Sequence, residues 1–168
     1  DIKLAKHDGV GSFGNIVTLE ESAARQGVVW VGSDDGIVSV TQDAGKTWQR
    51  VTVLSEDFDR HISQVIVVGT SLLLVAESGT LARSDDGGAT WTALTSPYQG
   101  SYFGALAVKD GSVLAFGMRG NVFRSLDLGT TWQKIETGTT TSFMAGLQLA
   151  DGRVMLVGNA GLIASAEA

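Results

Sequence analysis

The run SEDFDRH, Ser55 to His61, places Asp57, Asp59 and His61 at alternate positions, with Arg60 between them. Oxygen ligands at such spacing suit a hard cation such as calcium. The run lacks the Gly turn and closing bidentate Glu of a calcium loop, so it reads as a solvated loop. No metal or other cofactor is implied. A second acidic set is Asp34, Asp35 and Glu77, in two short turns that each end in Gly. Two carboxyls roughly 5 to 10 Å apart are what glycoside hydrolysis needs, but nothing in the sequence positions a sugar between these. Tyr98 and Tyr102 lie in one loop, SPYQGSY, and are candidates to stack on a carbohydrate. With no cysteine in the chain, thiolate metal sites, disulfides and cysteine nucleophiles are excluded.

A third acidic set repeats. Thr41 to Trp48 reads TQDAGKTW, Ser84 to Trp91 reads SDDGGATW, and Ser125 to Trp132 reads SLDLGTTW. The shared pattern is Ser or Thr, then Asp two residues on, Gly after another two, and a closing Thr-Trp. Asp43, Asp86 and Asp127 could act as acids or metal ligands. The turn chemistry is the stronger reading: Asp accepts bonds from backbone N–H groups ahead of it and holds a tight turn. Gly45, Gly88 and Gly129 tolerate positive φ. Trp48, Trp91 and Trp132 clamp the hairpin and are expected to bond through their indole N–H. Equivalent turns in a repeat protein sit on separate units, so the three carboxylates should not meet.

The elements that carry these octamers also repeat. The Trp residues are 43 and 41 residues apart. Apolar runs VVWVG, LLLVA, VLAFG and VMLVG each precede a turn ending in Gly36, Gly79, Gly120 or Gly161, followed by IVSVT, TLARS, NVFRS or LIASA. Before each lies a further run: NIVTLEE, SQVIVVG, GALAVKD or AGLQLAD. These give strands A, B and C. The octamer then leads into strand D: WQRVTVL, WTALTSP and WQKIETG. No stretch keeps a helical apolar period, so essentially no helix is expected. Strand B is apolar on both faces and needs cover on both, as in stacked small sheets. Four antiparallel strands every 40 or so residues predict an all-β propeller with four four-stranded blades per chain. The repeats fall at about 14–54, 62–96, 103–138 and 142–168. Trp30, in an apolar strand, reads as core.

Composition sets the outer bounds. The chain has 168 residues, 22 Gly, a single Pro at Pro97, 43% hydrophobic and 18% charged residues, and a net charge of −6. With no Lys/Arg run, nucleic acid and anionic lipid are not expected partners. Apolar runs of about five residues fall far short of the ~20 that span a bilayer, so no membrane insertion is expected. A chain starting at Asp1 with no visible secretory signal reads as a mature or trimmed form.

The octamers resemble the Asp-box, or BNR repeat. It recurs in sialidases, sortilin-type receptors, some glycoside hydrolases and the photosystem II assembly-factor propellers. The resemblance implies that each box joins strands C and D at the blade periphery, away from the ligand face. GVVWVGSDDGIVSVTQDAGKTW is similar to sortilin-type propellers, whereas the chain from SGTLARSDDGGATW to GNAGLIASAEA is similar to bacterial relatives of the photosystem assembly factor. That split reads as a chimera or an engineered recombinant. A natural member would be periplasmic or secreted. The Arg-Ile-Pro motif of sialidases is absent.

The families imply a ligand face built by the D–A and B–C loops. It would gather Asp34, Asp35, Asp57, Asp59, Arg60, His61, Glu77, Tyr98, Tyr102, Arg119 and Asn159, with His7 beside them; solvated loops are the plainer reading of these residues. Arg83, Arg119 and Arg124 are a candidate basic patch. The functional expectation is a non-catalytic scaffold: a binding or assembly module for a protein segment, or an engineered repeat protein without evolved activity. The alternative is a carbohydrate-binding or glycoside-hydrolase-like propeller. The ends predict closure. Residues 1–6 fall in the frame of a strand D, and the fourth repeat stops after strand C. Two chains exchanging that strand would make an eight-bladed homodimer; one chain would make a closed four-bladed ring.

Overall fold

The computed structural model describes residues 14–22 and 25–167. The expected strand at residues 1–6, and His7, lie outside them. Four antiparallel sheets follow one another along the chain. Blade one is β1 (Ile16–Glu21), β2 (Val29–Ser33), β3 (Val38–Thr41) and β4 (Gln49–Val51). Blade two is β5 (Ile62–Val68), β6 (Ser71–Ala76), β7 (Leu81–Ser84) and β8 (Thr92–Ala93). Blade three is β9 (Tyr102–Ala107), β10 (Val113–Gly117), β11 (Val122–Ser125) and β12 (Gln133–Ile135). Among the described residues blade four has three strands, β13 (Phe143–Gln148), β14 (Val154–Gly158) and β15 (Ile163–Ala166). In every sheet the strands neighbour each other in chain order. The only helical geometry among the described residues is two single 3₁₀ turns, Met118–Gly120 and Asn159–Gly161.

The two-faced apolar runs become the middle strands. All six residues of β6 and all five of β10 are buried. They are covered on both faces because the sheets stack: β1 packs on β5, β5 on β9, and β9 on β13. One apolar cluster fills each joint. Trp30, Val38 and Val40 meet Ile62, Leu72 and Leu74; Leu73, Val75 and Leu81 meet Tyr102, Ala115 and Phe123; Leu114, Phe116 and Val122 meet Phe143, Val154 and Leu156. Each fully buried Leu or Phe contributes about 1.5–3 kcal/mol.

The first strand of every blade shifts register near its start, between Ile16 and Thr18, Ile62 and Gln64, opposite Phe116 and Gly117, and between Phe143 and Ala145. A bulge there turns a side chain toward the next blade. The Val65 N–H donates to Thr18 Oγ1 at 3.2 Å, and the Ala105 N–H donates to Gln64 Oε1 at 2.9 Å. These bonds tie neighbouring inner strands together where no sheet ladder joins them.

Strand D is shorter than the sequence suggests. In blade two it spans only Thr92–Ala93 and ends well before Pro97, because Ser96 turns back to bond the Tyr98 carbonyl. Among the described residues both end faces carry exposed apolar side chains. On blade one Ile16 is 65% and Leu19 67% exposed, and on blade four Ile163 is 68% exposed. These positions are the counterparts of residues buried inside the other joints.

A tight joint lies at Gly88, at φ +88°, where a Cβ would lie 2.7 Å from Trp30 Nε1 and 3.3 Å from Leu72 Cδ1. Gly88→Ala combines left-handed strain with a clash across two blades. It should cost about 2 kcal/mol or more in urea unfolding. Gly87→Ala, with no atom near its Cβ, should cost clearly less.

Candidate functional site

Each octamer closes on its own carboxylate. In the first, Thr41 Oγ1 donates to Asp43 Oδ1 at 2.8 Å. The Thr47 N–H donates to the same oxygen at 2.9 Å, and Thr47 Oγ1 donates to Oδ2 at 2.7 Å. The Gly45 N–H donates back to Thr41 Oγ1 at 2.9 Å. Asp86 repeats this with Ser84 and Thr90, and Asp127 with Ser125 and Thr131. These bonds favour the ionised form and hold all three carboxyls at about 2. The Thr47 amide contributes most to Asp43, and the Thr90 and Thr131 hydroxyls contribute most to Asp86 and Asp127. A carboxyl so committed has no proton to give near neutrality. The three turns belong to three different sheets, so the geometry is that of a repeated structural knot.

The box tryptophans depart from expectation. The indole N–H groups of Trp91 and Trp132 are buried without a partner. Trp91 packs into the cluster between blades one and two, and Trp132 into that between blades two and three. Trp48, with no blade before it among the described residues, is 45% exposed. The indole bond is made instead by Trp30, read only as core. Its Nε1–H donates to the Gly87 carbonyl of the next blade's box at 3.2 Å. Arg83 makes the same reach one blade on, from Nη1 to the Leu128 carbonyl at 3.2 Å.

This joint breaks up the candidate basic patch. Arg83 also pairs with Asp85 at 3.0 Å, while Arg124 bonds Asp110 and Ser112 within its own blade. Arg119 alone of the three stands exposed on the loop side. Its φ of 57° is left-handed, but Ser78 and Ala160 adopt the same conformation in the equivalent turns. The strain therefore belongs to the hairpin shared by blades two to four, with positive φ at both central residues.

The loop-side candidates divide into held and exposed groups. In each blade the turn between strands B and C is pinned by an N–H to a carbonyl just before strand A: Asp34 to Asn15, Glu77 to His61, Met118 to Ser101 and Asn159 to Ser142. Asp34 also accepts the Gly14 and Asn15 amides at 2.8 and 2.9 Å and the Asn15 side chain at 2.8 Å. The Asn15 side-chain bond, above all, keeps the Asp34 carboxyl below its ordinary range. Asp35 accepts from Ser33, Glu77 from the His61 N–H, and Arg60 donates to Ser78. Asp57, Asp59 and Asn159 are exposed. Among the described residues no three His, Asp or Glu side chains gather to hold a metal ion.

Tyr98 and Tyr102 are not a stacking platform. Tyr102 is 1% exposed, and its hydroxyl meets Ser96 Oγ at 2.9 Å. Both rings pack on Phe123 in the joint between blades two and three. Burial pushes the Tyr102 hydroxyl up to about 12. A cleft of about 280 Å³ opens on the loop side, lined by Arg119, Asn121, Lys134, Thr137, Thr139 and Thr140.

A family model described as photosynthesis system II assembly factor YCF48 matches residues 17–166. The chain belongs to this family. Among solved structures, YCF48 bound to D1 peptide aligns with a TM-score of 0.73 at 21% identity, over 90% of this chain and 49% of that one. The computationally designed Ika4 protein aligns at 0.72 and 16% identity, over 98% and 95% of the two chains. The GH74 enzyme of Niastella koreensis aligns at 0.73 and 15% identity, over 89% of this chain and 28% of that one. At these identities the likeness is one of fold. The chain spans about half the length of the YCF48 structures it matches. A search of curated protein sequences gave no match.

The box carboxylates make a pH prediction. Their folded-state value, about 2, lies below the ordinary 3.8. The stabilisation is therefore complete above about pH 4 and lost as pH falls towards 2. Replacing Asp43, Asp86 and Asp127 together with Asn should lower the melting temperature at pH 7 and flatten its fall between pH 4 and 2. A variant that keeps the wild-type acid limb would contradict this.

Proposed function

We propose that the chain is a non-catalytic propeller module that binds a segment of another protein, as expected of an assembly factor. The observation that carries this reading is the family match across residues 17–166, beside a related propeller described as bound to D1 peptide. The chemistry agrees. The box carboxylates are locked in turns, and Asp34 is held ionised by amide donors, so none of these four is suited to general acid catalysis. The segment would lie on the loop side, where Arg119 and a threonine-lined cleft offer a cation and hydroxyls for backbone and carboxylate groups. The carbohydrate alternative needs exposed rings, and Tyr102 is buried.

The same reading includes assembly. Among the described residues blade four offers an outer edge of β15 that no strand pairs, with the exposed Leu147 and Ile163; blade one offers Ile16, Leu19 and Trp48. Open edges and apolar faces favour pairing. A second copy, stacked end to end, would complete an eight-bladed ring, with residues 1–6 of each chain added to the partner's fourth sheet.

Two measurements test this. A D1 peptide titrated into the chain should bind saturably, and Arg119→Glu should weaken it by about tenfold; equal affinity would remove Arg119 from the site. Light scattering should give twice the 17.5 kDa chain mass. A mass of one chain would contradict the shared ring.

A further inference from the structure

The turns between strands B and C are built alike, yet their charges differ. The residue before the turn's Gly is Asp35, Ser78, Arg119 and Ala160 in blades one to four, and the residue before that is Asp34, Glu77, Met118 and Asn159. In blades one to three the loop that leads to the next blade lies directly over that Gly. A Cβ on Gly36 would meet the Phe58 carbonyl at 2.7 Å and Asp59 Cα at 3.1 Å. One on Gly79 would strike the Tyr98 carbonyl, and one on Gly120 the Thr139 carbonyl. Turn and loop thus form one surface unit per blade.

The unit of blade one carries Asp34, Asp35, Asp57 and Asp59 against Arg60, and the turn of blade two adds Glu77. Asp57 and Asp59 are exposed. The loops over blades two and three, residues 96–101 and 137–142, hold no charged residue. On blade three the turn presents the exposed Arg119, and in the cleft beside it Lys134 is already paired with Glu136 at 3.2 Å. Among the described residues the loop side is therefore acidic over blades one and two and cationic over blade three. Stacked sheets lie about 10 Å apart, which puts two blades' separation, about 20 Å, between the ends. That exceeds the ~8 Å over which exposed charges act at physiological ionic strength. The two ends do not neutralise each other, and different parts of a ligand must answer them.

We infer that the polypeptide segment bound on the loop side is extended and charge-segregated: a basic stretch lies over blades one and two, and a carboxylate about six residues away, at ~3.3 Å per residue, meets Arg119. The inference rests on the loop-side reading proposed above and adds to it the charge pattern of the partner. Complementary charge of this kind fixes register and penalises like-charged partners. A guanidinium that receives a carboxylate in bidentate fashion supplies the stronger anchor.

The probes are two end-capped synthetic peptides of identical composition. One has two lysines at one end and two glutamates at the other, joined by about six Gly and Ser residues; in its isomer the four charges alternate. At low salt the segregated peptide should bind saturably and about tenfold more tightly than the isomer, and the advantage should fade as salt is raised. Arg119→Glu should remove the advantage, and so should Asp57→Lys combined with Asp59→Lys. A peptide with glutamates at both ends should bind that double variant better than the wild-type chain. Equal affinity of the two isomers, no binding of either at low salt, or an advantage that survives both charge reversals would overturn the inference. The D1 peptide titration keeps two failures apart. If that peptide binds and Arg119→Glu weakens it while the isomers do not differ, the loop-side site stands and the charge segregation falls; if no peptide binds, both fall.

Discussion

Trp30 donates its indole N–H to the Gly87 carbonyl, and Arg83 donates to the Leu128 carbonyl one blade further on. Both bonds run from a middle strand of one sheet to the box turn of the next. Around them the box glycine approaches so closely that a side chain has no room, as at Gly88 against Trp30. The box is thus both a turn within its blade and the surface that receives the preceding blade. Its internal bonds, from Asp43, Asp86 and Asp127 to hydroxyls and amides, keep that surface rigid. This stacking covers strands such as β6 and β10 on both faces, which no single small sheet could do.

Much of this was legible from the sequence. The continuous apolar runs mark the middle strands because a strand buried on two faces cannot alternate. The octamer marks the C–D turn because Asp, Gly and Thr at that spacing satisfy its amides. Relations between blades were not legible, since a repeat pattern describes one unit and not its neighbour. The sequence therefore suggests an indole bond for Trp91 and Trp132, where the structure leaves their N–H groups without a partner, and offers no reason to expect one for Trp30. Tyr98 and Tyr102, in a polar loop with the chain's only proline, look available to a ligand. They are drawn inward because Ala105 and Ala115 leave room for rings beside Phe123. The arginines look alike in sequence, yet Arg83 spans a joint and Arg124 does not.

The carboxylates most suggestive of chemistry serve turns. Among the described residues, a loop-side cleft beside Arg119 and the exposed apolar side chains of the first and fourth blades are the surfaces that the proposed reading gives to polypeptide partners.

The most direct test of the central claim uses three amides in one molecule. The N–H groups of Gly45, Gly88 and Gly129 make nearly the same bond, to Thr41, Ser84 and Ser125, at 2.9, 2.8 and 2.7 Å. Gly88 and Gly129 are buried under a preceding blade, whereas Gly45 is exposed. Hydrogen exchange should be followed at a dilution where light scattering shows single chains. If docking between blades is the controlling constraint, Gly88 and Gly129 should exchange only on global unfolding, and Gly45 orders of magnitude faster through local opening. Equal protection of all three would mean that the box is stable by itself, and would contradict the account.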